Sequence, residues 1–290
     1  MKNLPLSTKL YLLVLLPIVG LTWLGVRGSL DKWRVYRDYA VLERNSAVLQ
    51  QIGQSVHELQ RERGRSAGFL SSKGTQFGTE LQNQRMNTDH AVAQLNQLLG
   101  DFDAARFGAS FQEQLKVSLD EVGKLASKRA AVSSLELTAA DSAAYYTQTI
   151  SRLLNVVVAM SHLSKDAEIG NGISCYVNFL QAKEQAGIER ATLTGVFVAN
   201  AFTPESFRRF GQVEAAQATF LRVFESFASE EQRRFAAAKV SGPAVDAVLA
   251  MRQTAFAQSA KGGFGIVATT WFDVSTARID LMKEVENRLG

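Results

Sequence analysis

The chain has 290 residues, 46% apolar and 21% charged, a globular composition that excludes an intrinsically disordered chain and is long enough for one large domain or two smaller ones. Only 4 prolines, abundant Ala, Leu, Gln and Glu, and few alternating β-branched runs argue against a sheet protein and for an all-α fold. The formal charge of +4 is mild and the arginines alternate with acids, so nucleic acid is not an expected partner.

Between Lys9 and Arg27 the run LYLLVLLPIVGLTWLGV carries no formal charge. As a helix it would extend about 25 Å, the low end for crossing a bilayer. Residues 1–27 therefore read as an N-terminal segment with a transmembrane helix, in which Pro17 and Gly20 are tolerated and Trp23 suits the interfacial belt. No small-x-small cleavage site precedes Ser29, which disfavours a cleaved signal peptide. Lys2 and Lys9 precede the run while Arg27, Lys32, Arg34 and Arg37 follow it, an opposition that a long translocated domain can override.

After it, a helical pattern runs from about Ser29 to Leu70 and ends in the breakers Ser71 to Thr75. Leu42, Leu49, Val56, Arg63 and Leu70 form a seven-residue ladder with Ile52 and Leu59 beside it, so Arg63 occupies a core position. Helices follow over about Gln76–Leu99, Ala109–Ala131 and Thr138–Ser164. The next, from Asp166 or Ile173 to Ala201, carries Ile169, Tyr176, Lys183, Arg190 and Phe197 at the same interval, with two cations in the stripe. Thr203 as N-cap and Pro204 at the first helical position start a helix to about Ala228. Ser229 and Gln232 form a capping box for the next, to Lys239. Beyond Gly242-Pro243, Val245, Val248, Leu249, Arg252 and Phe256 share a helix face, and a final helix spans about Thr269 to Leu289.

Laying Arg63 over Arg190, an offset of 127 residues (190 − 63), sets ERGRSAGFL over ERATLTGVF, with Gln54 over Gln181, and suggests two related helical halves. A buried guanidinium without a partner costs several kcal/mol, so each core arginine needs a carboxylate on a facing helix or a bound anion. Arginine's planar fork suits a small planar oxyanion better than lysine's point charge. Catalysis has little support: His57, His90 and His162 are isolated, and Cys175 lacks a histidine partner. Cys175 cannot form an internal disulfide, fits a reducing compartment or a periplasmic domain alike, and reads as a small buried apolar residue. The Gly262, Gly263 and Gly265 cluster lacks the context of a phosphate-binding loop. No cofactor or metal is expected.

The stretches LQRERGRSAGFLSSKG, AAYYTQTISRLL and KEQAGIERATLTGVFVANAF together resemble the nitrate- and nitrite-sensing domain called NIT, over roughly Val41 to Leu289. The resemblance implies an all-helical pair of up-and-down four-helix bundles holding nitrate or nitrite between helices through arginines. Arg63 and Arg190 match its motifs best, Arg61 flanks the first, and Arg252 follows from position and helix face. Members of the family often lie between two membrane helices and feed a chemotaxis, kinase or cyclic-nucleotide module.

The expected protein is thus a membrane-anchored, homodimeric receptor in the bacterial inner membrane. Its sensor domain, residues 28–290, would be periplasmic, and its output module lies outside the chain. The alternative is a structural or interaction bundle whose seam arginines form internal salt bridges.

Overall fold

The computed structural model describes residues 23, 27, 47–100, 102–161 and 167–289. The chain divides into a short unit, Met1–Ala47, and a large one, Val48–Gly290. The expected membrane span lies, apart from Trp23, outside the described residues. Among those described, no helix is long and apolar enough to cross a membrane.

The large unit is all-α, with no strand among the described residues. Helix α1 covers residues 48–71, α2 Gly78–Gly100, α3 Ala109–Gly123, α4 Leu125–Ser133 and α5 Ala139–Ser161. Then come α6, Ala167–Ala199, α7, Pro204–Phe227, α8, Glu230–Lys239, α9, Pro243–Ala257, and α10, Ala268–Leu289. Three starts follow capping residues in the sequence. Thr138 accepts from the backbone of Asp141, and Thr203 and Ser229 each close a capping box before α7 and α8. The helix expected over Ala109–Ala131 is broken instead: the amide of Lys124 turns to the carbonyls of Glu121 and Val122, just after Gly123, and separates α3 from α4.

Helix α6 is the spine of this unit. Its Tyr176 and Leu180 join the core of α1, α2, α3 and α5. Phe179, Ala182 and Ala186 pack with Phe224 and Met282, and Leu193, Val196 and Phe197 with Phe210, Val248 and Trp271. A helix buried on so many sides has few positions where a charge can reach water.

Helices α1 and α6 lie side by side and run parallel. Gly53 lies against Tyr176, Gln60 hydrogen-bonds Glu184, Arg63 abuts Gly187 and Ser71 abuts Gly195, so contacts advance in step along both chains. The heptad ladders are real core stripes, with Val56, Arg63, Tyr176, Lys183, Arg190 and Phe197 all buried. On α9 the expected face is rotated: Val248 and Ala255 are buried while Leu249 and Phe256 are exposed.

Removing the cap at the α6–α7 junction tests this local reading. Thr203→Ala should cost about 1 kcal/mol in urea unfolding, since its hydroxyl satisfies an otherwise free amide of the first turn.

Candidate functional site in the seam of the two Glu-Arg helices

Each Glu-Arg pair divides its labour by helix geometry, because neighbours in sequence point about 100° apart. Glu62 turns into the first half, where Arg129 of α4 grips both oxygens at 2.7 and 2.9 Å and the Tyr146 hydroxyl of α5 donates at 2.7 Å. Glu189 turns into the second half, where Arg252 of α9 grips both oxygens at 2.7 Å and Arg278 of α10 stands at 3.5 Å. Burial opposes the charge of Arg129, but the hydrogen bond and charge of Glu62 outweigh it and raise the guanidinium's pKa. Glu189 does the same for Arg252. The two carboxylates are therefore neutralised within their own halves.

The arginines turn the other way, into the seam between α1, α6 and α10. Arg63 donates to Thr147 of α5 at 2.9 Å, and Arg190 to Thr276 of α10 at 2.8 Å. Beyond that the two part company. Arg63 meets a carboxylate, Glu184 of α6, with Nη1 at 2.5 Å from Oε1 and Nη2 at 3.2 Å from Oε2. Arg190 donates its Nη2 to the main-chain carbonyl of Gln60 at 2.8 Å and lies 4.9 Å from the centre of the Phe272 ring. Among the described residues no carboxylate forms an ion pair with it; its Nε, like that of Arg63, is buried without a partner.

Arg190 is fully buried. Burial, followed by the charges of Arg63, Arg61 and Arg65, pushes its pKa down to about 9, with Asp280 pulling the other way. At neutral pH it keeps its proton and, among the described residues, has no carboxylate in an ion pair with it. Two glycines let these side chains fit: a methyl group on Gly64 would stand 2.8 Å from Phe272 and 3.3 Å from Arg190 Nε, and one on Gly187 2.7 Å from Arg63 Nη2.

The surroundings share the positive bias. Lys183, fully buried, is paired with Glu286, which also takes Lys283. Arg61 and the imidazole of His57 both approach Asp280, at 3.5 Å. Burial, then Lys183, Arg61, Lys283 and Arg190, hold His57 well below its usual pKa and so neutral. The cations Arg61, Arg63, Lys183, Arg190 and Lys283 thus outnumber the carboxylates Glu184, Asp280 and Glu286. The seam thus carries an excess of positive charge, and its donors are guanidinium forks and hydroxyls. Cys175 is buried on another face, its thiol pushed up to about 11 by burial, the reverse of an activated nucleophile.

The structure brings Arg63 and Arg190 into one electrostatic cluster, with Arg61 at its edge. Arg252 sits behind Glu189 instead. The sequence reading missed Thr147, Thr276, Gln60, Glu184 and Phe272. The two threonines follow their arginines by 84 and 86 residues, two out of register with the 127-residue offset, which lays Thr147 over Val274, so the repeat alone does not find them.

Against this geometry, the family model for nitrate and nitrite sensing, NIT, matches residues 54–290. The chain belongs to the NIT family. The nitrate regulatory protein of Klebsiella oxytoca is 24% identical over 269 residues, and the match covers 92% of this chain and 66% of that protein. The chain therefore spans just under two thirds of that relative's length. The solved structure of the NasR transcription antiterminator superposes with a TM-score of 0.79 at 23% identity, over 91% of this chain and 72% of that one, a likeness of fold.

These relatives correct the expected receptor. They bear the names of a regulatory protein and a transcription antiterminator, where a membrane-anchored chemotaxis-type receptor was expected. The anchored-receptor function, the membrane as partner and the inner-membrane, periplasmic placement are withdrawn. So is the exclusion of nucleic acid, since an antiterminator acts in transcription. The sequence misled because an apolar run and the family's frequent receptor context pointed the same way.

The contrast between the arginines can be measured by unfolding without ligand. Arg190→Met deletes a cation with no ion-paired carboxylate among the described residues and should leave stability unchanged or higher, whereas Arg63→Met strands Glu184 and should lower it by about 3–5 kcal/mol. An equal loss in both would mean that Arg190 is already neutralised internally.

Proposed function

We propose that this NIT domain is the sensory module of a regulator of gene expression, and that it takes up nitrate or nitrite in the seam between α1 and α6. The observation that carries the reading is the fully buried, protonated Arg190 with no carboxylate paired to it among the described residues. A fold retains such a group at a cost of several kcal/mol unless an anion compensates it. Family membership supplies the anion's identity, and the relatives' names support the regulatory setting.

In this reading α1 to α5 and α6 to α10 form two stacked four-helix halves, the third helix of each being split. The sensory module is the unit Val48–Gly290, within the domain expected over residues 28–290. Arg190 and Arg63 present their forks to the ligand, the Thr147 and Thr276 hydroxyls fix them, and Arg61 adds charge from the edge. Arg252 serves indirectly, by holding Glu189 away from the seam. The chemistry is recognition of a planar oxyanion, with no bond made or broken.

Thermal unfolding with nitrate, nitrite and chloride at constant ionic strength tests the reading. Nitrate or nitrite at a hundred times Kd should stabilise the protein by about 2.7 kcal/mol, chloride should give only a general salt effect, and Arg190→Met should abolish the response. The anion pairs with the protonated guanidinium, so affinity should fall as pH rises from about 9 upward. The same rise with chloride, or one that survives in Arg190→Met, rejects the site.

A further inference from the structure

The two arginines are equivalent in the repeat but not in their partners. Under the offset that lays Arg63 over Arg190, Glu184 falls over His57. The first half thus receives a carboxylate at the place where the second receives an imidazole. His57 is buried with its Nδ1 unpartnered and its Nε2 toward Asp280, so it brings no negative charge to Arg190. Glu184 is buried too, and it engages both terminal nitrogens of Arg63.

A carboxylate and a nitrate ion are alike in the features that a guanidinium reads: planarity, a single negative charge and two oxygens spaced for two parallel N–H bonds. Both cannot occupy one fork, and placing the second anion beside the first in a water-poor seam is repulsive. We infer that Glu184 is a built-in occupant of the anion site, a carboxylate that holds the fork of Arg63 while the seam is empty and yields it when the ligand binds. This inference rests on the anion-binding reading above and goes beyond it by naming the residue that sets affinity and the resting state.

The neighbours of Glu184 give its departure somewhere to go and something to move. Lys183, next in the chain, lies within its electrostatic reach and can take a share of the released charge. Gln60 donates to Glu184 Oε2 at 2.7 Å through its side chain, and its main-chain carbonyl accepts from Arg190 at 2.8 Å. A shift of Glu184 therefore pulls on the residue against which Arg190 rests, which couples the two forks across α1 and α6.

Calorimetric titration of the full 290-residue chain with sodium nitrate, with sodium chloride as control, compares wild type with Glu184→Gln. The amide keeps the size and a hydrogen bond but drops the charge. Expected are a lower melting temperature without ligand and nitrate affinity tighter by roughly tenfold. Glu184→Asp, which keeps the charge but cannot span both nitrogens, should tighten binding by less, and it carries the test if circular dichroism finds the amide variant unfolded. Wild-type binding with equal or weaker affinity in the folded variant overturns the competitor and leaves the anion site standing. Absence of nitrate-specific heat in both proteins overturns the two together.

Discussion

One buried positive charge organises the seam. Arg190 sits on the most enclosed helix of the large unit, and its fork finds a hydroxyl, a carbonyl and an aromatic ring. Each of these partners can accept a hydrogen bond or polarise, but none carries a negative charge. The glycines at 64 and 187, the threonines of α5 and α10, and the turning of both glutamates into their own halves all serve to keep two guanidiniums together in little space. Coulomb repulsion between them is strong in a medium of low dielectric, and water cannot relieve it. Arg63 and Arg190 therefore lower one another's tolerance for an empty seam.

The repeat explains how such an arrangement is built. A Glu-Arg pair on a core helix places one charge on each of two adjacent faces, and a third-helix arginine, Arg129 or Arg252, always answers the glutamate. Repeating that unit brings two arginines into one cluster, where Glu184 pairs with Arg63 and Asp280 tempers Arg190 without an ion pair. The repeat places the two arginines alike, and its breaking at residues 57 and 184 leaves Arg63 with a carboxylate partner and Arg190 without an ion-paired one among the described residues. The third contributor is α10, whose Thr276, Asp280 and Glu286 touch Arg190, Arg61 and Lys183 in turn. Any change of charge in the seam is felt along successive turns of that one helix.

Much of this could be read from the chain. The heptad ladders placed Arg63, Lys183 and Arg190 in the core, because a side chain's face on a helix follows from spacing alone. Capping residues marked the starts of α5, α7 and α8, since an amide at a helix start needs a nearby oxygen. The break at Lys124 was not legible, because a glycine inside an otherwise regular helix usually costs stability without ending it. Nor was the identity of each arginine's partner. Glu184 and Glu189 are both acidic residues near Arg190 on one helix, and only the packing of α6 against α1 sends the first to Arg63 and the second to Arg252. On α9 a rotation of about one residue exposed Leu249 and Phe256, an error that a short helix with apolar residues on several sides invites.

In the proposed function, the cost of holding two buried guanidiniums together is also what makes the seam responsive. A ligand shifts an equilibrium between packings only by its differential affinity for them. In a neutral pocket that difference comes from shape, but here an anion removes an electrostatic penalty that is present only while the guanidiniums are held together. Its leverage is therefore greatest in the packing that brings α1 and α6 closest, where the repulsion without it is worst. Arginine is better suited to this than lysine, because its planar fork presents two parallel donors to one oxyanion, where an ammonium acts as a point charge. In the proposed function the anion neutralises the seam, and the packing of the helices responds to it.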